Sequence, residues 1–466
     1  MKNLIWMAAL ALTAATWSAC SNDDEPTAAE QSAQSRTYTV TTTLSPRNGA
    51  ATRSKMTDVG GTTGITAEWE VGDQIWVGYY QVGGDYQNTT AVVTAVDPST
   101  KAATIRVTLT NPNNDGNIYF GYPYSYYAKT KDPYTDQTGT LADINANFAG
   151  IEGSGVMNVS SSGVTIVPPS SMAPQMCIWK FSFTDGTTPI TSDITSDITK
   201  LVINIPENNQ TYIVTPSSLS DIYVAMYGYG FSTPKSICIT AVTATGVYRK
   251  AAASVTLAAG KTYTTTGFAL KKAEVGKVLG ADGNIYDNAA ATPGGNTAVA
   301  KICYVGNDAE TSPSNTAFKN GLALALEDVS DIKTWCSQTS VTCLGTQYDN
   351  STKFNDLAGI ANTDELVNNT GHTHAAASAA RNYNSGTHPA GTSAWFLPSA
   401  GQWDKMIGST GLGLSNLGLV ANVSYWSSTE DGASSAWGFG SNDGYWATSG
   451  SGKGAVTIRV RACLAF

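Results

Sequence analysis

The feature that most constrains the fold is a period-two alternation of apolar and polar residues, repeated along residues 37–272. In the segment TYTVTTTL, Thr37–Leu44, the side chains of Tyr38, Val40, Thr42 and Leu44 fall on one face of an extended chain. Such alternation is typical of a half-buried β-strand, and helical periodicity is nearly absent from this part of the sequence. The chain is therefore expected to be mainly β.

Further short strands are predicted where apolar runs alternate or lie between turn-forming residues. Ile75, Val77 and Tyr79 alternate directly after the turn residues Gly72 and Asp73. The other predicted strands cover residues 91–96, 103–110, 118–127, 177–185, 200–206 and 236–242, with two more in 254–272 joined by a turn at 258–260. Many short strands separated by turns favour β-sandwiches, so two sandwich modules are predicted, over residues 37–172 and 173–272.

The N-terminus has the form of a secretory leader. Residues 4–17, LIWMAALALTAATW, carry no charge and are too short to span a membrane, which takes about 20 residues. Ser18, Ala19 and Cys20 follow and resemble a bacterial lipobox, which implies a signal peptide over residues 1–19 and diacylation of the Cys20 thiol. The alternative is an ordinary signal peptide with a chance cysteine.

Residues 20–36 are expected to be a flexible tether behind the lipid. They contain no aromatic residue and one β-branched residue, Thr27, so they bury too little apolar area to order themselves. The acidic start SNDDE resembles an export signal to the outer face of the outer membrane. The alternative is a merely soluble linker.

The bulk composition excludes one class of partner. The formal net charge is −9, which argues against nucleic acid because phosphates require a basic patch. Only 14% of residues are charged, against about a quarter in typical domains. A polar, weakly charged, aromatic-rich composition is typical of secreted β-rich surface proteins, and no second hydrophobic span follows the leader.

Four stretches of the first 272 residues resemble the fimbrillin family of lipoprotein-derived, type V pilins. They are TRSKM with AEWEVGDQIWVGYY (52–56 and 67–80), FGYPY (120–124), MCIWKFSF (176–183) and LAAGKTYTTTGFAL (257–270). The resemblance implies two transthyretin-like β-sandwich domains and proteolysis after an Arg or Lys that follows the first strand. It also implies that the strand of another subunit fills the groove left behind.

The basic loop after the first strand offers three places for such a cut. Arg53, in ATRSKM, is the preferred position because it is far from the strand and flanked by small residues. Arg47 and Lys55 are the alternatives. Solvated loop charges without any processing role remain the other interpretation of all three.

The composition changes after residue 272, and residues 273–466 are predicted to form a third, α+β module. Asp282 and Gly283 signal a hairpin, and a helix is expected to begin at Ser399, which has a capping-box partner in Gln402. Its apolar face would contain Trp403, Met406 and Ile407. Strands are predicted at 300–306 and 321–326, a short helix in 374–383, turn-rich segments from 424 to 448 and one closing strand at 456–466.

Several motifs of this third module resemble a bacterial surface domain of C-type-lectin-like fold. They are ADG-x-x-Y (281–286), W-x-LP-S (395–399), YWSST-E (425–430), an aromatic hairpin with Trp437, and RVRA (459–462). The resemblance implies that the first and last strands of the module pair. This pairing would place Cys303 near Cys463.

The third module holds the candidate ligand-binding residues. The calcium motifs of such lectins are missing from the sequence, so Trp437, Tyr445 and Trp446 are the candidates for stacking on a ligand, with core or hairpin packing as the alternative. No catalytic motif, no cofactor motif and no CxxC is present. The three histidines lie far in sequence from the cysteines, so no metal site is predicted, and Cys336 and Cys343 are candidates to close a short loop.

These observations predict a non-enzymatic subunit of a bacterial pilus. Because a bulky C-terminal module should prevent the chain from donating a strand, the position expected is the tip, where the subunit binds a surface glycan or protein. Other pilin subunits are then the partners, and the precursor meets the outer membrane through its lipid. The alternative is a non-polymerising surface lipoprotein, or a pilus anchor, that binds glycan or protein through its C-terminal module.

Overall fold

The computed structural model confirms a mainly β chain with two β-sandwiches followed by an α+β body. It describes residues 36–45, 55–58, 65–114, 116–187, 192–228, 233–293, 296–313, 315, 317–329, 332–447, 452–455 and 457–466. Within these residues, no helix is both long enough and apolar enough to cross a membrane.

The first sandwich is one curved sheet around a single core. Its strands follow the spatial order β1-β6-β5-β4-β7-β8-β10, with β9 also paired to β8 and with β2 and β3 forming a separate hairpin. The elements are β1 Thr37–Leu44, β2 Lys55–Asp58, β3 Ile65–Glu68, β4 Gln74–Tyr80, β5 Tyr86–Val96, β6 Ala103–Thr110, β7 Gly116–Tyr122, α1 Tyr124–Tyr127, α2 Leu141–Asn147, β8 Ile151–Ser160, β9 Gly163–Val167 and β10 Ala173–Pro174.

The second sandwich is a seven-stranded sheet in the order β13-β12-β15-β16-β17-β11-β14. Its strands are β11 Met176–Asp185, β12 Ile198–Ile205, β13 Gln210–Val214, β14 Ile222–Tyr227, β15 Lys235–Thr243, β16 Gly246–Val255 and β17 Thr262–Lys272. β11 and β17 pair in parallel, and the aromatic rings of Trp179, Phe181 and Phe183 stack along β11 in the core.

In the part of the third body that the structure describes, two sheets combine with three α-helices. One sheet has the order β19-β18-β20-β21-β26 and the other the order β24-β23-β22-β25. The elements are β18 Val278–Gly280, β19 Ile285–Tyr286, β20 Ala298–Val305, β21 Gly321–Ala325, α3 Gly359–Asn368, α4 Ala375–Arg381, α5 Ala400–Ile407, β22 Ser424–Glu430, β23 Ala436–Gly440, β24 Trp446–Ala447, β25 Ile458–Arg459 and β26 Cys463–Ala465.

Several predicted elements are confirmed residue by residue. The Ser399 side chain accepts from the Gln402 backbone, while the Gln402 side chain accepts from the Ser399 backbone, so α5 begins with a complete capping box. Gly283 adopts φ +83° in the turn between β18 and β19, a conformation that favours glycine. The Ala-rich segment forms α4, and the Leu-rich segment forms β21.

Four sequence predictions are wrong in detail. The strand predicted at 118–127 ends at Tyr122, because Pro123 has no N–H for a ladder and α1 follows it. The segment at 424–430 is the buried strand β22 rather than turns, and the closing strand is split into β25 and β26. β18 pairs with β20 while β26 pairs with β21, so the first and last strands of this body are not neighbours. Cys303 and Cys463 nevertheless lie in one buried cluster, as free thiols.

A buried arginine joins the second sandwich to the third body. Arg249, on β16, donates from Nε to the Gly283 carbonyl at 2.9 Å, from Nη1 to that of Gly391 at 2.6 Å, and from Nη2 to that of Ala390. A guanidinium removed from water needs all of these acceptors, since an unpaired buried charge is costly. The third body is therefore fixed to the face of the sandwich through polar as well as apolar contacts.

Candidate functional site

The first strand, β1, lies at the edge of the first sandwich in antiparallel register with β6. Eight consecutive residue pairs join the two strands, from Thr37 opposite Thr110 to Leu44 opposite Ala103. Hydrogen-bonded and non-hydrogen-bonded pairs alternate in such a ladder, so these eight pairs supply about eight backbone hydrogen bonds. β1 is thus held along its whole length by one neighbour.

The alternation of β1 gives it one apolar face, as the sequence predicts. Val40 and Leu44 enter the core, where Leu44 is only 1% exposed, and Tyr38 packs against the same cluster from the rim. Burial of a Val or Leu side chain contributes about 1.5–3 kcal/mol. The opposite face carries exposed threonines, among them Thr39, which faces Thr108 of β6 with a 3.5 Å distance between the hydroxyl oxygens.

The other edge of β1 faces β9 without a backbone ladder. The Thr42 hydroxyl donates to the Ile166 carbonyl at 3.2 Å, and β6 is the only described strand with which β1 pairs. β1 therefore occupies a groove, named here the first-strand groove, between β6 and β9. The floor of the groove on the β6 side consists of Ile105, Val107 and Leu109, all buried.

Two hydrogen bonds between Arg36 and Asn111 hold the chain just before β1, and the predicted cleavage loop follows the end of β1. The Arg36 carbonyl accepts from the Asn111 N–H at 2.7 Å, and the Arg36 N–H donates to Asn111 Oδ1 at 2.6 Å. Cys20, Arg47 and Arg53 lie outside the described residues. Lys55 is the first residue of β2, which pairs with β3, so a cut at Arg53 would fall between two strands and one at Lys55 within a strand.

The segment WEVGDQIWV positions β4, the central strand of the sheet whose edge carries β1. Gly72 adopts φ +98°, a left-handed conformation that favours glycine, and the Asp73 carboxylate accepts from the Glu70 N–H at 2.8 Å. This tight turn starts β4, whose Ile75 and Val77 are fully buried in the same core as β1. The predicted motif is therefore structural.

The edges of the second sandwich are covered by the chain itself. The edge strand β13 donates from Ile213 N–H to the Tyr134 carbonyl at 2.6 Å, and the edge strand β14 donates from Tyr223 N–H to the Gly139 carbonyl at 2.9 Å. Between them, the buried Gln137 side chain donates to the Ala225 carbonyl and accepts from the Ala225 N–H, both at 2.8 Å. Residues 134–139 therefore occupy the positions that an added strand would need.

The C-terminus is also built into its own sheet. Phe466 is buried, its N–H donates to the Gly321 carbonyl at 3.2 Å, and its carbonyl accepts from Asn320 N–H at 2.8 Å. β26, just before it, pairs with β21. The last residues are therefore committed to the third body.

The three candidate ligand-binding residues of the third body differ in how far their rings are exposed to solvent. Trp437 is buried, donates from Nε1 to the Tyr348 carbonyl at 2.6 Å, and has the Lys353 ammonium 4.7 Å from its ring centroid. Trp446 is partly buried against Phe439, whereas Tyr445 is 71% exposed. Of the three, only Tyr445 presents an open aromatic face.

An aromatic cleft that sequence reasoning missed lies on the outer face of the first sandwich. It has a volume of about 770 Å³, and its rings come from Trp76, Tyr80, Tyr86, Tyr119 and Tyr127, with the Glu152 carboxylate at the rim. Trp76 and Tyr127 stack with centroids 5.6 Å apart. The rings cover two glycines, Gly78 and Gly121, where a methyl group would collide with them. Trp76, Gly78 and Tyr80 alternate on one face of β4, but the rings of Tyr86, Tyr119 and Tyr127 come from other segments, so the sequence of β4 alone does not reveal the cleft.

The structure also brings together residues that the sequence separates. The expectation that the histidines lie away from the cysteines is wrong in three dimensions, because His374 meets Cys336 and Cys343 in the buried interior of the third body. Close by, Glu430 forms a buried ion pair with Lys453. No local motif links these residues, which are scattered over the last third of the chain.

Comparison with known proteins adds one structural likeness. A fimbrial protein from Bacteroides ovatus, solved by crystallography, aligns over 87% of this chain and 96% of its own, with 15% sequence identity and a TM-score of 0.36. No protein-family model and no curated protein matches the sequence. The strand pairing and burial described above therefore carry the functional proposal.

The packing of β1 in the first-strand groove can be tested by shortening a side chain on its apolar face. Leu44→Ala should cost about 2–4 kcal/mol of β1 stability, because it opens a cavity under an edge strand, and amide exchange in residues 37–44 should accelerate at least about tenfold. The matched control is Thr43→Ala on the exposed face, which should leave exchange within about twofold of wild type. Hydrogen exchange measured by mass spectrometry on the full chain gives the exchange rate of residues 37–44 in both variants. Equal rates in the two variants would contradict the packing of Leu44 described here.

Proposed function

We propose that this chain is a subunit of a bacterial surface pilus that exchanges β1 for a strand of a neighbouring subunit. The observation that carries the proposal is the position of β1, an edge strand with an apolar face, a complete ladder to β6 and no ladder to β9. A strand held in this way can leave without dismantling the strands behind it.

When β1 leaves, the first-strand groove becomes a binding site for a replacement strand. About eight backbone groups of β6 would lose their ladder partners, and the apolar floor at Ile105, Val107 and Leu109 would face water. An incoming strand with alternating apolar residues restores both contributions at once, as in β-augmentation. The second sandwich offers no comparable site among the described residues, since residues 134–139 cover β13 and β14.

Proteolysis after Arg53 is the step that makes the exchange favourable. While the chain is intact, β1 is tethered to its own groove and rebinds at a high effective concentration. A cut in the loop between β1 and β2 removes this advantage and leaves a strand held by non-covalent contacts alone. The same cut removes the lipid that Cys20 carries, so processing couples release from the membrane to assembly.

The tip is the position within the pilus that suits the C-terminus. A donor strand must be extended and free, whereas β26 pairs with β21 and Phe466 is buried against Gly321. A subunit that accepts a strand in the first-strand groove but donates none stands at the distal end. The third body, with its C-type-lectin-like motifs, is then the receptor-binding head, and retention of the lipid without cleavage would instead make the chain a surface lipoprotein or a pilus anchor.

The aromatic cleft favours glycan binding as a second candidate function. Exposed Trp and Tyr rings stack on the apolar faces of sugars, and a carboxylate such as Glu152 accepts hydrogen bonds from sugar hydroxyls. Tyr80 and Tyr86 contact each other edge to face at 5.1 Å, which holds both rings in place. This cleft lies on the first sandwich rather than on the third body.

Processing is tested by replacing the predicted cleavage residue. In Arg53→Ala the mature protein should keep Cys20 with its lipid and form no ladder of assembled subunits, because β1 stays covalently attached. Arg47→Ala and Lys55→Ala are the matched controls and should mature and assemble as wild type does. Mass spectrometry of the N-terminus of surface protein identifies the cut, and a wild-type protein that still begins at Cys20 would refute processing.

Glycan binding is tested with an immobilised panel of glucose, galactose and mannose oligosaccharides. If the cleft binds sugar, Tyr86→Ala should weaken binding by the full chain about twofold to tenfold, since one ring stack contributes about 0.5–1.5 kcal/mol. The comparison variant is Tyr445→Ala on the exposed hairpin of the third body. Retained binding by Tyr445→Ala supports the cleft, and loss in Tyr445→Ala alone would assign the ligand to the third body.

A further inference from the structure

A cluster of three metal-ligating side chains lies in the third body, remote from the first-strand groove. The Sγ atoms of Cys336 and Cys343 and a ring nitrogen of His374 all lie within 4.8 Å of one another. All three residues are buried, and His374 is only 2% exposed. Two thiols and an imidazole that meet in a buried interior form a donor set typical of zinc sites.

A backbone carbonyl and a side-chain carboxylate from outside the cysteine loop fix the backbone of both cysteines. The Cys336 N–H donates to the Lys453 carbonyl at 3.1 Å, and the Cys343 N–H donates to Glu430 Oε1 at 2.7 Å. Because Glu430 ends β22, the position of the Cys343 thiol is set by a buried strand. These hydrogen bonds fix the backbone of both cysteines, so the two thiols lie in the same part of the interior before any ion binds.

The histidine is fixed in the same way. The Ser337 N–H donates to the Thr373 carbonyl at 2.8 Å, and the Thr373 N–H donates to Ser337 Oγ at 3.0 Å, which joins the cysteine loop to the start of α4. The His374 ring then packs edge-on against Trp335, with centroids 5.7 Å apart and planes at 90°. The imidazole has little freedom to turn towards another partner.

The polar atoms of this ring lack ordinary partners. Among the described residues, neither Nδ1 nor Nε2 of His374 makes a hydrogen bond of normal geometry, although the Trp335 backbone lies near the ring. A buried polar group without a partner costs about 1–3 kcal/mol. An imidazole held in this state, directed at two thiols, is the independent sign that a ligand belongs between them.

The spacing of the sulfurs suits a shared ion. Cys336 Sγ and Cys343 Sγ are 3.6 Å apart. Two thiolates bound tetrahedrally at about 2.3 Å from zinc are separated by about 3.8 Å, whereas a disulfide requires about 2.05 Å. The observed distance is close to the first value.

The charges also balance. A divalent ion that displaces the two thiol protons leaves the cluster neutral. The buried Lys453 and Glu430 neutralise each other, and Lys453 Nζ, 3.8 Å from Cys343 Sγ, can donate to the thiolate.

We propose that Cys336, Cys343 and His374 bind one Zn²⁺ ion that fastens the cysteine loop to the start of α4. Two thiolates and an imidazole select a borderline-soft ion over Ca²⁺ or Mg²⁺, which prefer oxygen ligands. Water fills the fourth position. The ion would stabilise the third body and takes no part in strand exchange.

The test uses the full chain, reduced and stripped of metal, titrated with Zn²⁺ against a chromophoric chelator. Wild type should bind about one Zn²⁺ per chain, and binding should raise its thermal midpoint. Cys336→Ser and His374→Ala should weaken binding more than about a hundredfold, because loss of a group that only orients a ligand already costs 10–100-fold. Cys303→Ala, a buried thiol elsewhere in the same body, is the matched control and should bind as wild type does.

A second measurement on the wild-type chain does not depend on the folding of any variant. Co²⁺ in place of Zn²⁺ should produce thiolate-to-metal charge-transfer absorption and the visible bands of a tetrahedral site. Absence of that absorption, failure of the reduced wild type to bind Zn²⁺, or binding unchanged in both ligand variants would overturn the proposal. So would a Cys336–Cys343 disulfide in protein isolated from the cell surface, detected as an intact mass two hydrogens lower.

Discussion

The ladder between β1 and β6 is the interaction on which the functional account depends. It satisfies the polar backbone of β6 and covers the apolar floor beneath it, yet β1 receives no equivalent ladder from β9. An edge strand with one neighbour is the least expensive strand of a sheet to remove, because its loss breaks one ladder where an interior strand would break two. Because β1 has a ladder on one edge only, it completes the core of the first sandwich and can also be replaced without breaking a second ladder.

The rest of the molecule restricts where exchange can take place. Residues 134–139 close both edges of the second sandwich, so an added strand finds no open ladder there. Arg249 holds the third body against β16 with three backbone carbonyls as acceptors, and Phe466 closes the C-terminus inside a sheet. Under the proposed function, the covered edges of the second sandwich favour the first-strand groove as the site of strand acceptance, and Arg249 would hold the proposed head against the second sandwich.

Local signals in the sequence predict local structure well. The alternation in Thr37–Leu44, the turn at Gly72 and Asp73, and the capping box at Ser399 and Gln402 each act over a few residues, and each has the predicted form. α2 was missed although Thr140 accepts from the Asp143 N–H, a capping signal present in the sequence. The cover over β13 and β14, the aromatic cleft and the Cys336, Cys343 and His374 cluster depend on contacts between distant segments, which no periodicity encodes.

The most direct test of the central claim ties β1 to its neighbour. Thr39 and Thr108 face each other on the exposed side of the β1–β6 ladder, so Thr39→Cys with Thr108→Cys forms a cross-strand disulfide that disturbs no core residue. The account predicts that the oxidised double variant keeps β1 after cleavage and fails to assemble, that reduction restores assembly, and that Thr39→Cys alone assembles throughout. Assembly of the oxidised double variant at the wild-type level would contradict the account, because a strand that cannot leave would then be no obstacle to polymerisation.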